Sequence, residues 1–327
     1  QSGTEAIMAA LRIARAKTGR EKIIKIDGNY HGWGDQTVMG LHIPGTGMML
    51  AEGIPTSCLS NTISVMPNDF DGLKHAFEEA KKEGNVAAVL VEANGGEAGT
   101  HPVHPEWNKY VRELCDEYGA LMIMDEVITG FRFGPGGAQA YYGVKPDLVI
   151  MGKILMHGYP SCGALGGRAD VMDVLAGGEG SALGGHAFVA GTLAANALSA
   201  KASYYALKFV EEYKAYDKAA VFAEKLTSEL NDLFETRPDL PFFAYNQKSI
   251  IVYDTTAFFS VDITRDDAFM QIMDRMKVSK EYQLAILNQG IMTLAGSRMY
   301  TCMQHDDEAR DKTLKAWENL LSLIPKQ

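Results

Sequence analysis

The chain has 327 residues, of which 46% are hydrophobic and 22% are charged, and its formal net charge is -10. This composition is typical of a globular protein, and the length predicts one large domain with a smaller one, or two similar ones. A strongly negative balance argues against a nucleic-acid or membrane-surface role, because both need a basic face. We therefore expect no nucleic-acid partner and no membrane partner.

The apolar runs and the cysteines indicate where in the cell the protein is expected to occur. The longest apolar stretches, such as residues 120–124 and 148–151, are too short to cross a bilayer, and no signal-peptide pattern opens the chain. The four cysteines are scattered and form neither a CxxC pair nor a disulfide framework. A reducing, cytoplasmic location is the expectation from these features.

The chain begins on Ser2-Gly3-Thr4 and passes at once into a helical pattern. Ser2 or Thr4 is the predicted N-cap of a helix that runs to about Lys17 and ends at Thr18-Gly19. Such a turn seldom opens a natural domain, so we expect further sequence upstream.

Short apolar strands then alternate with amphipathic helices. The predicted strands are residues 22–26, 86–91, 120–124 and 147–151, and the predicted helices between them are residues 68–82 and 105–118. Residues 30–61 resemble a loop, because glycine and proline are frequent there and periodicity is weak. Strands that are apolar throughout are covered on both faces, so the pattern predicts a doubly wound α/β domain with a mostly parallel sheet.

The pattern changes from about Tyr204. Helices are predicted at residues 203–213, 216–234 and 306–323, and strands at residues 249–253 and 258–262. We therefore predict a large domain over residues 1–203 and a smaller α+β C-terminal domain over residues 204–327.

Two chemically distinctive residues follow predicted strands. Asp125 ends one apolar run, and Lys153 lies just beyond another, at the sheet edge where open α/β folds bind ligands. A lysine placed there suits attack on an aldehyde, and an aspartate can keep a pyridine nitrogen protonated. A lone lysine is more often a surface residue, so it is the pairing with Asp125 that favours catalysis. Ser2-Gly3-Thr4 adds backbone N–H groups and a helix dipole that suit a phosphate, although helix caps of this kind are also common for structural reasons.

Five stretches occur together in one order, and the set is more specific than any member. They are residues 2–6 (SGTEA), 30–32 (YHG), 125–132 (DEVITGFR), 146–153 (PDLVIMGK) and 191–193 (GTL). The set resembles the class III aminotransferases of pyridoxal-phosphate (PLP) fold type I over essentially the whole chain. Within that class it is most similar to glutamate-1-semialdehyde 2,1-aminomutases and to aminotransferase relatives such as D-phenylglycine aminotransferase.

The resemblance implies a set of contacts to pyridoxal 5'-phosphate. Lys153 matches the lysine that carries the cofactor as a Schiff base, and Asp125 matches the partner of the pyridine nitrogen. Val127 and Tyr30 would pack on the two faces of the ring, with His31 beside them.

Further implied contacts involve the phosphate and a second subunit. Ser2, Gly3 and Thr4 would cradle the phosphate, and Glu97 would lie near the cofactor hydroxyl or the substrate. Thr192 matches a threonine that reaches the phosphate of the neighbouring subunit, which implies a homodimer with shared active sites.

Each of these residues also has a structural interpretation. Tyr30 and Val127 could be packing residues, and His31 could be a hydrogen-bonded structural histidine. Glu97 could be solvated in a loop, and Thr192 could begin a helix.

The sequence departs from the family in three places. Residues 154–160 are bulkier than the family's glycine-rich run, which would narrow the pocket. Residues 294–301 lack the glutamate of the aminomutases and offer Arg298 instead, either as a bidentate ligand for a substrate carboxylate or in a surface salt bridge. The family segment that precedes the Ser-Gly-Thr turn, which supplies part of the pocket and of the dimer interface, does not occur in this sequence.

These observations favour an enzyme that moves an amino group from a small amino compound to a keto acid or aldehyde. An aminomutase, a racemase and a catalytically incomplete scaffold remain alternatives, and residues 32–59 are a candidate lid. A nicotinamide oxidoreductase is disfavoured, because no GxGxxG turn follows a first strand. No metal site is predicted.

Overall fold

The computed structural model describes residues 1–45, 51–176, 186–262 and 265–326. The chain divides into two compact units, Gln1–Glu211 and Glu212–Gln327. The boundary predicted after Ser203 falls inside the helix Ala197–Glu212, just ahead of this division.

The first unit is built on a six-stranded sheet. The strands are β1 (Lys22–Ile26), β2 (Thr62–Val65), β3 (Val86–Glu92), β5 (Leu121–Glu126), β6 (Leu148–Gly152) and β7 (Gly163–Gly167), with the two-residue β4 (His101–Pro102) outside the sheet. Their order is β2-β1-β3-β5-β6-β7; all neighbouring pairs from β2 to β6 are parallel, and only β7 runs antiparallel to β6. The predicted α/β fold with a mostly parallel sheet is confirmed.

Helices cover both faces of this sheet. The helices are α1 (Gly3–Thr18), α2 (Phe70–Lys81), α3 (Gly96–Gly99), α4 (Trp107–Tyr118), α5 (Gly137–Tyr141), α6 (Ala169–Met172) and α7 (Ala197–Glu212). Ile7 and Leu11 of α1 share a buried core with Leu90 and Ile123 of the central strands. Helices α2 and α4 also contact β3.

Helix α1 sets the position of its own first turn. Ser2 caps the helix by accepting a hydrogen bond from the Glu5 backbone N–H at 3.4 Å, and Gly19 ends it with a left-handed φ of 67°. A residue with a Cβ atom would be strained at that C-terminal position. The fixed cap leaves Gly3 and Thr4 at the carboxyl edge of the sheet.

The second unit has a three-stranded antiparallel sheet with helices beside it. Its strands are β8 (Phe243–Gln247), β9 (Ile250–Asp254) and β10 (Arg298–Tyr300), in the order β10-β9-β8, and its helices are α8 (Ala215–Phe234), α9 (Ala268–Asn288) and α10 (Asp307–Leu323). Trp317 is fully buried at the centre of the core that these elements form.

One predicted strand is wrong. Residues 258–262 do not form a strand, because Ala257 adopts a left-handed φ of 56° and turns the chain into the 3-10 turn Phe258–Ser260. Among the described residues, no helix is long and apolar enough to cross a membrane.

Candidate active site

The carboxyl ends of β3, β5 and β6 bring acidic and basic side chains together. Glu92 of β3 is paired in register with Asp125 of β5, and Asp125 is paired with Ile150 of β6. Lys153 follows Gly152, the last residue of β6. The two residues singled out from the sequence, Asp125 and Lys153, therefore lie on adjacent strand ends.

Asp125 is held by two hydrogen bonds in a buried position. Its Oδ2 lies 2.8 Å from His31 Nδ1, and its Oδ1 accepts the Val127 backbone N–H at 3.0 Å. Burial lowers the pKa of His31, against the opposing effect of Asp125. A neutral His31 therefore donates from Nδ1, and its buried Nε2 has no hydrogen-bond partner among the described residues.

Lys153 occupies an unusual backbone position at the start of the 3-10 turn Lys153–Met156. Its φ is 47°, in the left-handed region, and its carbonyl accepts a hydrogen bond from Cys162 Sγ at 3.0 Å. The side chain is exposed, yet desolvation by the protein around it lowers the pKa of its amine, and the charges of Asp125 and Glu92 oppose this shift. A lowered pKa increases the neutral fraction, which is the nucleophilic form.

The first turn of α1 packs directly on the segment that follows β5. A Cβ atom added at Gly3 would lie 2.8 Å from Val127 Cγ2, so Val127 or the helix would have to shift. Likewise, Gly32 has a φ of 82°, and a Cβ atom there would lie 2.2 Å from Thr4 Oγ1. Two of the predicted stretches thus contain glycines at points of close approach, where Gly3 packs on Val127 and Gly32 packs on Thr4.

Tyr30 and Glu97 lie on neighbouring loops beside this edge. Tyr30 is 40% exposed, and its ring stacks on His42, with ring centroids 5.9 Å apart and an interplanar angle of 13°. Glu97 is largely buried and forms a hydrogen bond with His42 Nδ1. The alternative that Glu97 is solvated in a loop is therefore wrong.

The two remaining predicted residues are Thr192 and Arg298. Thr192 is exposed, and the adjacent Leu193 accepts a hydrogen bond from Ser161 through its carbonyl at 3.4 Å. Arg298 belongs to the second unit, where it pairs in β10 with Val252 and is only 5% exposed. This burial excludes the surface salt bridge considered for Arg298.

Glu92 and Lys25 are buried charged residues that the sequence interpretation did not select. Burial and the charge of Asp125 raise the pKa of Glu92 to about 8. Burial lowers the pKa of Lys25 to about 8, against the effects of Asp27 and Glu92. The available signal was the same one that identified Asp125, since Glu92 also ends an apolar run.

Comparison with known proteins places this arrangement in a family. The chain matches the family model "Aminotransferase class-III" over residues 1–297. It is 42% identical over 223 residues to glutamate-1-semialdehyde 2,1-aminomutase 2 of Anoxybacillus flavithermus, covering 67% of this chain and 50% of that protein. It is 36% identical over 327 residues to the glutamate-1-semialdehyde 2,1-aminomutase of Methanopyrus kandleri, covering 99% and 73% respectively.

The fold has a close counterpart among solved structures. An omega-transaminase from Sphaerobacter thermophilus superposes with a TM-score of 0.83 at 26% identity, covering 98% of this chain and 72% of that one. The chain therefore spans between half and about three quarters of the length of these relatives. It belongs to the class III aminotransferase family, whose cofactor is pyridoxal phosphate.

The residues at the sheet edge fit that cofactor. The capped N-terminus of α1 offers backbone N–H groups to a phosphate, and Gly3 allows a close approach. Asp125 is a buried acid suited to a pyridine nitrogen, and Lys153 carries a partly desolvated amine. Within the described parts of the chain, no cluster of three or more His, Cys, Asp or Glu residues could hold a metal ion.

Proposed function

We propose that the protein transfers an amino group between an amino compound, here an amino acid, and a keto acid or aldehyde. Lys153 binds pyridoxal phosphate through its amine in this proposal. The single observation that supports it best is the placement of Lys153 and Asp125 on adjacent strand ends, beside the first turn of α1.

Each residue has a stated role in this proposal. The bound cofactor supplies a ring that withdraws electrons from the substrate Cα. Asp125 keeps the pyridine nitrogen protonated, and His31 orients Asp125 through Nδ1. Once its amine is free, Lys153 takes the proton from the substrate Cα and delivers it to the receiving carbon. Val127 and Tyr30 confine the ring, and Ser2, Gly3 and Thr4 bind the phosphate.

Labelling tests the proposed attachment. Borohydride reduction of the PLP-loaded protein, followed by peptide mapping, should place a pyridoxyl group on Lys153, and Lys153→Ala should abolish the label. A label on another lysine, or on none, would contradict the proposal.

An aminomutase is the second candidate, and the names of the curated relatives favour it. The absence of an acid from residues 294–301 and the bulky Leu155, Met156 and Tyr159 support transfer between separate molecules instead. Glutamate-1-semialdehyde supplied alone, and an amino acid supplied with a keto acid, distinguish the two. Conversion of the semialdehyde to 5-aminolevulinate, without transfer between separate molecules, would establish the aminomutase.

A further inference from the structure

The side chain of Glu92 connects two loops that carry proposed cofactor contacts. Its Oε1 accepts the backbone N–H of Tyr30 at 2.9 Å and that of Glu97 at 3.0 Å. Its Oε2 accepts the backbone N–H of Ala98 at 2.8 Å. Glu92 is only 5% exposed, so these three donors satisfy a carboxyl group that water scarcely reaches.

The turn that contains Glu97 has a strained backbone. Glu97 and Ala98 have φ values of 51° and 61°, which residues with a Cβ rarely adopt. Such a conformation aims successive backbone N–H groups into one concavity, which suits an anion or a carbonyl-like oxygen. Glu92 fills that concavity, and hydrogen bonds to it offset the strain.

The two loops also touch each other, so their positions are coupled. A Cβ atom added at Gly96 would lie 2.9 Å from the Gly28 carbonyl oxygen and 3.1 Å from Asn29 Oδ1. The turn before Glu97 therefore rests on the residues just before Tyr30. Glu92 lies beneath this contact, in register with Asp125 on the next strand.

We propose that Glu92 is a positioning residue that holds the Tyr30 loop and the Glu97 turn in register with Asp125. The role in cofactor binding rests on the proposed function, because Tyr30 confines the cofactor ring in that proposal and the family resemblance implies that Glu97 lies near the cofactor hydroxyl or the substrate. Burial and the charge of Asp125 favour the protonated form of Glu92, since both raise the pKa of its carboxyl group. When Glu92 is neutral, Asp125 is the acid at this edge of the sheet that can bind a pyridine nitrogen.

Glu126 provides a matched control. It is also buried, lies at the end of the adjacent strand, and accepts the Ala138 and Gln139 backbone N–H groups, each at 2.8 Å. The segment that donates these hydrogen bonds, at Ala138 and Gln139, carries none of the residues assigned to the cofactor. Glu92→Leu and Glu126→Leu thus remove the same kind of interaction from two different loops.

Hydrogen exchange resolved to single amides, measured without PLP, tests the positioning role directly. Glu92→Leu should speed exchange at Tyr30, Glu97 and Ala98 at least about tenfold, whereas Glu126→Leu should affect Ala138 and Gln139 instead. Glu92→Gln is the milder variant, since its carbonyl can serve the Oε1 donors while its NH₂ group faces Ala98. Only Ala98 should then exchange faster.

A second measurement connects positioning to the cofactor. The dissociation constant for PLP should rise at least about tenfold in Glu92→Leu relative to Glu126→Leu. Native exchange at Tyr30 and Glu97 in a folded Glu92→Leu protein, or equal PLP affinity in the two variants, would overturn the proposal. Failure of the proposed function has a different signature, because Lys153 would then remain unlabelled by borohydride while the exchange pattern persisted.

Discussion

Asp125 and His31 form a buried pair in which burial keeps the imidazole neutral. A neutral histidine has one donor nitrogen, and the carboxylate of Asp125 fixes that donor at Nδ1. The pair therefore presents one negative charge to the site. This is the charge state that a protonated pyridine nitrogen requires.

Replacing Asp125 by Asn removes that charge and nearly preserves the shape. Asp125→Asn should slow turnover by at least about a hundredfold, equivalent to about 2.7 kcal/mol of transition-state stabilisation, while the protein stays folded. Steady-state kinetics and circular dichroism measure the two effects. Asp27→Asn is the control, because Asp27 is a buried acid that binds Gly45 N–H and Ser64 Oγ. Equal turnover in the two variants would rule out the role of Asp125.

Glu92 should make stability depend on pH in a defined direction. Its folded pKa of about 8 lies above the ordinary value of 4.5, so its contribution is complete below pH 4.5 and is lost as pH rises towards 8. Glu92→Gln cannot ionise and should therefore flatten the decline between pH 6.5 and 8, by up to about 1.4 kcal/mol per pH unit.

Urea unfolding at several pH values in this range measures the effect. The range avoids His31, whose lowered pKa acts below 6.5, and Lys25, whose contribution changes between about 8 and 10.5. Parallel pH profiles for the wild type and Glu92→Gln would show that Glu92 is ionised throughout.

For individual residues, the sequence could predict those site residues that lie at the end of an apolar strand. Asp125 and Lys153 follow apolar runs, so their arrival at one sheet edge follows from the parallel fold. The hydrogen bonds of Glu92 could not be predicted in the same way. They depend on left-handed conformations at Glu97 and Ala98, which residues of those types seldom adopt.

Among the helices and strands, those with a periodic apolar pattern could be predicted from the sequence, whereas those that depend on tertiary contacts could not. Helix α1 and strands β3 and β5 have strong apolar patterns and were predicted close to their observed bounds. Strand β7 has the sequence GALGG, which has little β-propensity, and it forms because it pairs with the edge of β6. Tertiary pairing of this kind leaves no signal in the local sequence.

The glycines of β7 also set the position of α1. A Cβ atom at Gly163 would lie 2.2 Å from the Ser2 carbonyl oxygen, so Gly163→Ala must displace the backbone of the turn proposed to bind the phosphate. We expect PLP affinity to fall at least about tenfold, or about 1.4 kcal/mol. Gly166→Ala is the control, since its Cβ would make only an ordinary 3.5 Å contact with Val149. PLP titration followed by absorbance compares the two, and equal affinities would contradict the packing argument.

On the scale of the whole molecule, cofactor binding depends on the net charge of the chain and on its assembly with other subunits. A net charge of -10 repels an anionic cofactor, so our proposal assigns phosphate binding to local N–H groups at α1 rather than to the overall field. The amino-acid composition alone predicts this negative net charge. The partner of an exposed residue such as Thr192 is a property of the assembly, and the fold of one chain does not determine it.

The proposed homodimer makes a quantitative prediction about mixed subunits. If Thr192 serves the phosphate of the neighbouring site, Thr192→Ala damages the partner's site, whereas Lys153→Ala inactivates its own. A mixed dimer then concentrates both defects in one site and leaves the other with native Lys153 and Thr192. Random reassociation of equal amounts should restore about a quarter of the native sites. The measurement is PLP-dependent turnover after joint unfolding and refolding, with each variant refolded alone as the control. Activity no higher than the mean of the two separate variants, or a stable and active PLP-bound monomer in sedimentation, would exclude a shared site.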